Sequence, residues 1–169
     1  KFEDEHEGTT LINARIASHD DDVMLTTNSG RAIRFRATDV RVFNSRNSVG
    51  VRGIKLGGDD RVVSMSIIRH FDASSEERTA YLKMRRAMAG LSDEDANDEE
   101  DAPADPNFSN ERYVEMSAAE NLILTITAGG AGKLTSSHDY PLRGRGGQGV
   151  TAWTKGLPLG DIVASFPVE

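Results

Sequence analysis

The sequence predicts an all-β protein, a propeller-like array of blades of about four antiparallel strands each, with a partly helical, partly disordered acidic insert. Three observations carry this. A segment recurs at an offset of 99 to 101 residues, each copy breaks into short apolar runs separated by turn signals, and an acid-rich stretch of another character divides the copies. A repeat of this size means one supersecondary unit used again. Short strands at regular spacing point to a propeller-like arrangement.

The repeat organises the chain. Val23–Ala32 lines up with Ile123–Gly132, Asp39-Val40 with Asp139-Tyr140, Arg46 with Arg145, Gly50-Val51 with Gly149-Val150, and 60–65 with 161–166. In the first unit, 23–27 is apolar and β-branched, and Asn28-Ser29-Gly30 is a hairpin turn whose glycine supplies the positive φ. Ile33 and Phe35 then alternate with Arg34 and Arg36, the period of a half-buried strand. Residues 49–56 and 61–67 complete the unit, Leu11–Ile16 reads as the last strand of a preceding blade, and Trp153 reads as core. The division is therefore 1–20, the end of a preceding blade; 21–70, a first blade; 71–118, the insert; and 119–169, a second blade. Within the insert, Ser74 with Glu77 fits a capping box, 75–89 is rich in helix formers and 109–120 suggests a second short helix. Residues 91–107 are acidic, hold Pro103 and Pro106, and are expected to be disordered.

Composition narrows the function. Hydrophobic residues make up 37% of the 169, enough for a thin core spread over sheets. Cysteine is absent, which excludes a disulfide scaffold, a thiolate zinc site and a thiol nucleophile. No apolar run approaches the ~18–20 residues of a membrane helix, so a cytoplasmic setting without a membrane partner is expected. The chain opens on Lys1 and reads as a piece of a longer protein. The net charge of −7 is unevenly distributed. Residues 70–120 hold 14 acidic against 5 basic side chains, whereas 31–61 hold 8 basic against 3 acidic and 133–155 hold 4 against 1. Two basic stretches in an acidic protein suggest a polyanion partner.

No catalytic constellation emerges. His6, His19, His70 and His138 are far apart, and Asp20-Asp21-Asp22 lacks the spacing of a calcium loop. Tyr81, Tyr113 and Tyr140 have no evident activating partners, and Tyr140 aligns with Val40, which favours a packing role. Gly129–Lys133 has the look of a phosphate loop, but it joins two strands instead of opening a helix. Metal and nucleotide sites are therefore not expected.

Gly30–Phe35 followed by Gly50-Val51-Arg52-Gly53-Ile54-Lys55-Leu56 resembles the C-terminal domain of the A protein of DNA gyrase, as do Leu122–Thr127 with Gly130–Lys133, and Arg145–Val150. The resemblance covers both units. It implies a β-pinwheel, six or so four-stranded blades whose basic rim bends and wraps double-stranded DNA. It also implies that cleavage of DNA belongs to another domain of the gyrase A protein, and that ATP and Mg are used elsewhere in the full enzyme, with no cofactor in this segment. The implied partners are DNA, the rest of the gyrase A protein and the gyrase B protein, in the bacterial cytoplasm at the nucleoid. The family's signature box reads Gln-Arg-Arg-Gly-Gly-Lys-Gly. Arg143–Gly149 matches it at Arg145, Gly146, Gly147 and Gly149, and Asn44–Gly50 keeps Arg46 and Gly50, so both look like the degenerate copies of later blades.

The candidate DNA-binding residues are Arg31, Arg34, Arg36, Arg41, Arg46, Arg52 and Lys55 in the first unit, and Lys133, Arg143, Arg145 and Lys155 in the second. Arg34 and Arg36 are expected to face solvent together. Lys and Arg neutralise phosphates and dominate DNA affinity without reading sequence. The loops 44–50 and 143–149 are the strongest candidates, since glycine lets backbone amides approach a phosphate. The expected function is non-catalytic DNA binding within a type II topoisomerase that supercoils DNA with ATP. Two alternatives remain, the equivalent protein of topoisomerase IV and a protein-interaction propeller fragment that docks through its insert.

Overall fold

A computed structural model describes residues 9–90, 103–153 and 160–168. The first unit supplies β1 (Asp21–Thr27), β2 (Arg31–Arg36) and β3 (Val62–Arg69). Helices α1 (Ser75–Met88) and α2 (Asn110–Ala119) follow. The second unit supplies β4 (Leu122–Thr127), β5 (Gly132–Ser136), β6 (Val150–Thr151) and β7 (Ile162–Val168).

The two units are built alike from the turn outward. In each, the first strand doubles back through a tight turn and pairs on its other side with the unit's last strand, all antiparallel. Gly30 and Gly130 hold φ of +94° and +84°, where a Cβ is disfavoured. Thr27 Oγ1 accepts a hydrogen bond from the Arg31 amide at 3.2 Å, and Thr127 Oγ1 one from the Ala131 amide at 3.2 Å. Both first strands shift register at the same point, Thr26/Thr27 and Ile126/Thr127.

The register also corrects the alignment of 60–65 with 161–166. Met24 pairs with Ser66 and Leu124 with Phe166, Thr27 with Val62 and Thr127 with Ile162, an offset of 100. A slip of one residue exchanges the two faces of a strand, so this offset decides which side chains meet between sheets.

Two expected strands are absent. Leu11–Ile16 is irregular, with Leu11 and Ile16 exposed by 74% and 98%. No described strand lies beside it to take its backbone hydrogen bonds. Residues 49–56 of the first unit are also irregular. The fourth strand of the first sheet is instead β6, contributed by the second unit and paired with β2 at Arg31 and Ala32. The sheets run β3-β1-β2-β6 and β5-β4-β7.

The sheets stack, and their shared core joins Met24, Ala32 and Ile68 to Ile123, Tyr140 and Ala152. The hydroxyls of Ser64 and Ser66 donate across the stack to the Ser165 carbonyl. Tyr140 is buried, its hydroxyl lies 2.9 Å from Thr135 Oγ1, and burial pushes its pKa up to about 12. A packing role explains it. Trp153, expected in the core, is half-buried at the edge, its backbone against the turn glycine Gly30.

This stacking reverses the expectation for Arg34. Arg34 and Arg36 do share a strand face, but it is the face that the second sheet covers. Arg34 is 4% exposed and ion-paired with Asp22 at 2.7 Å, and its guanidinium donates to the Ser137 carbonyl at 2.9 Å. Arg36 keeps partial exposure and donates to the His19 carbonyl at 3.0 Å. Alternation says which residues share a face. In a stacked blade it does not say which face is wet.

The insert packs onto the blades. Ser74 and Glu77 form the expected capping box, with the Glu77 amide donating to Ser74 Oγ at 3.1 Å and the Ser74 amide to the Glu77 carboxylate at 2.8 Å. Tyr81 and Met116 turn inward and are almost wholly buried. Tyr81 stacks on Tyr113 at 5.0 Å and meets the His138 ring edge-on at 4.9 Å. His138 Nε2 lies 2.9 Å from the Met116 carbonyl, so this nitrogen carries a proton. Arg112 on α2 donates to Glu77 on α1 at 2.8 Å. Of the stretch expected to be disordered, 91–102 lies outside the described residues. In the remainder the Asp105 amide donates to the Glu76 carbonyl at 3.1 Å.

Candidate nucleic-acid interface

The glycine-rich loop 143–149 leaves its own unit and lies along the outer edge of the first sheet. Backbone bonds fix it there. The Arg143 amide donates to the Arg34 carbonyl at 2.8 Å, the Gly146 amide to the Gly53 carbonyl at 2.7 Å, and the Lys55 amide to the Gly147 carbonyl at 2.8 Å. Gly149 holds φ of +69°, and a Cβ there would overlap the Ala32 carbonyl oxygen. Gly149 of the partial box therefore serves close backbone packing between the units.

Arginines complete the attachment. The Arg31 guanidinium donates to the carbonyls of Gly149 at 2.6 Å and Gln148 at 3.3 Å. The Arg145 guanidinium donates to the carbonyls of Arg52 at 2.7 Å and Asp39 at 3.1 Å. Carbonyl acceptors do not neutralise these two cations, so each still adds positive potential to the edge it braces.

The candidate residues thus fall into groups. Arg34 is buried, beyond the reach of a phosphate. Arg31, Arg36 and Arg145 are partly buried and hold carbonyls. Arg52, Lys55 and Arg143 are exposed around the pinned loop, and the backbone bonds bring them together. Arg41 is exposed with its guanidinium 4.9 Å from the Phe43 ring. Arg46 is exposed on loop 44–50, which makes no comparable attachment among the described residues. Lys133 is partly buried, its ammonium 6.0 Å from the Trp153 ring. Lys155 lies outside the described residues. One cation escaped the sequence reading: Arg15 joins Arg41 and Arg145 around a groove on the first sheet. Its position in an expected strand concealed it.

Comparison with known proteins matches this architecture. The family model for the DNA gyrase C-terminal domain, a β-propeller, matches residues 21–69 and 121–165 and skips the helices between them. The DNA gyrase A protein of Granulibacter bethesdensis is 42% identical over 96% of this chain, and that of Rickettsia bellii 35% identical over 96%. The chain spans about a fifth of the length of these curated relatives, 19% and 18%. A solved DNA gyrase A C-terminal domain superposes with a TM-score of 0.53 at 20% identity, over 93% of this chain and 34% of that one. The C-terminal domain of DNA topoisomerase IV superposes equally well, 0.53 at 17% identity, over 89% of this chain and 32% of that one, so the fold is common to both. With both strand repeats matched on either side of the insert, the chain belongs to the DNA gyrase C-terminal domain family of β-propellers.

Proposed function

We propose that this chain is a DNA-binding part of a gyrase A protein and holds double-stranded DNA by its phosphates along the outer edge of the first blade. The observation that carries this is the pinned loop 143–149, around which Arg52, Lys55 and Arg143 are exposed in a chain whose overall charge is −7. Fixed backbone lowers the entropy lost when such side chains bind. The binding is non-catalytic. Strand cleavage, ATP and Mg belong to other parts of a cytoplasmic type II topoisomerase, and the partners are the rest of the gyrase A protein and the gyrase B protein.

The acidic stretch Asp93–Asp101 holds seven carboxylates, equal to the whole net charge. Its repulsion weakens binding at low salt and is screened as salt rises.

Fluorescence anisotropy with a random duplex of about 40 base pairs, titrated against salt, tests both parts. The triple variant Arg52→Ala, Lys55→Ala, Arg143→Ala is expected to flatten the log–log salt slope by roughly 2–3, near 0.9 for each phosphate no longer neutralised. Deleting 93–101 is expected to tighten binding at low salt. An unchanged slope in the triple variant removes this edge from the interface.

A further inference from the structure

The helical insert grips the segment that leads into the pinned loop. Both α1 and α2 lie outside the two stretches that the family model matches, yet both reach the turn Ser137–Asp139. On α1, the Arg78 guanidinium donates to the His138 carbonyl at 3.1 Å, and Tyr81 meets the His138 ring edge-on. On α2, the Met116 carbonyl is one of the last four, which a helix leaves without partners of its own. The Glu120 amide turns to Ser117, and His138 Nε2 donates to Met116 at 2.9 Å. Phe71, just beyond β3, meets the same ring at 5.9 Å.

A second line of hydrogen bonds runs from the insert to the same turn through the first blade. Arg112 on α2 donates to the Asp72 carbonyl at 2.7 Å. The Asp72 carboxylate lies 2.9 Å from His70 Nε2, and His70 Nδ1 lies 2.9 Å from the Asp22 carboxylate. Asp22 accepts from Arg34 Nε at 2.8 Å. Arg34 then holds both ends of the segment. Its guanidinium donates to the Ser137 carbonyl, and its own carbonyl accepts the Arg143 amide. Loop 143–149 begins where this clamp ends. Loosening the turn spreads the exposed cations Arg52, Lys55 and Arg143 over more arrangements, and the entropy of fixing them then falls on the binding step.

We infer that the helical insert sets the DNA affinity of loop 143–149 by holding the turn Ser137–Asp139, with His138 as the positioning residue between them. Undocking the insert loosens the loop. By linkage, DNA that fixes the loop keeps the insert docked, although the helices themselves touch no phosphate. The coupling to DNA rests on the phosphate-binding role proposed above, whereas the grip on the loop does not.

Amide hydrogen exchange on the whole chain, with and without the same random duplex, tests both parts alongside anisotropy titrations. His138→Asn removes the donor at the Nε2 position, and His138→Gln returns an amide N–H to it. Without DNA, His138→Asn is expected to speed exchange of the Arg143, Gly146 and Lys55 amides at least about fivefold. His138→Gln is expected to restore their protection. The amides of β4 are expected to stay unchanged, which a global loss of stability would not allow. Affinity of His138→Asn for the duplex is expected to fall at least about fivefold with the log–log salt slope kept. In the wild type, saturating duplex is expected to slow exchange in α1 and α2. If His138→Asn prevents folding, Arg78→Ala takes its place, with Arg78→Lys as the rescue. Unchanged exchange at the three loop amides overturns the grip. Loop amides that loosen while affinity holds, or helices whose exchange the bound duplex leaves unchanged, overturn the coupling. A wild type that does not bind the duplex removes the phosphate-binding role and the coupling with it, and the loop amides alone then decide the grip.

Discussion

Asp22 has no solvent exposure, and its carboxylate is shared by Arg34 at 2.7 Å, His70 at 2.9 Å and Arg36 at 3.6 Å. Removing one partner of such a buried pair strands the other. Asp22→Ala is expected to cost about 3–5 kcal/mol in urea unfolding. Arg46→Ala, on an exposed loop, is expected to stay within about 0.5 kcal/mol. Equal losses at the two sites would contradict the division between structural and surface arginines. His138 offers a test by pH. Burial holds its imidazole below the ordinary 6.5, and Arg34 and Arg78 add to that shift. Its contribution is therefore complete above about pH 6.5 and is lost as pH falls through the lower folded value. Asp139 acts in the opposite sense, because burial raises its pKa, so the wild type must be compared with His138→Asn. Between pH 7.5 and 5 the wild type is expected to lose more stability than that variant, and parallel urea midpoints would refute it. At this scale the sequence supplied residue types and face parity. It did not reveal that Arg34 was buried, because that depends on a sheet arriving from 100 residues away.

At the scale of elements, local chemistry was the legible part. The turn glycines, the Ser74–Glu77 box and both insert helices occur where the residues called for them. Register was harder, since 60–65 can be aligned at two offsets and only hydrogen bonding selects between them. β6 was illegible as part of the first sheet. Two residues with no periodicity cannot announce a partner 120 positions back. The loop before it makes a paired prediction. Gly149→Ala meets both a positive φ and the Ala32 carbonyl, whereas its counterpart Gly50 has open space around it. The first substitution is expected to cost at least about 1–3 kcal/mol and the second little, by thermal unfolding. Similar melting temperatures for both would show that the loop yields.

At the scale of the whole molecule, the two sheets depend on each other. The second unit lends the first its edge strand and its loop, and both units share one core. A single cooperative transition is expected, with Trp153 fluorescence and far-ultraviolet dichroism coinciding in urea. Trp153 rests on Gly30 across that shared edge, so it reports on both units. Separated transitions would mean that the blades melt on their own. The borrowed strand also bears on how such arrays can gain or lose a member. The boundary of the repeated sequence and the boundary of the folded blade are out of phase. The first blade comprises 21–69 together with the stretch from Arg143 to Trp153. Recombination at the edges of the sequence repeat would leave one sheet short of a strand and another with a strand to spare. A graft that keeps every sheet whole must cut inside the repeat, after the turn at Ser137–Asp139 and before the glycine loop. Modular growth of this fold therefore proceeds in units that no self-alignment of its sequence would mark out.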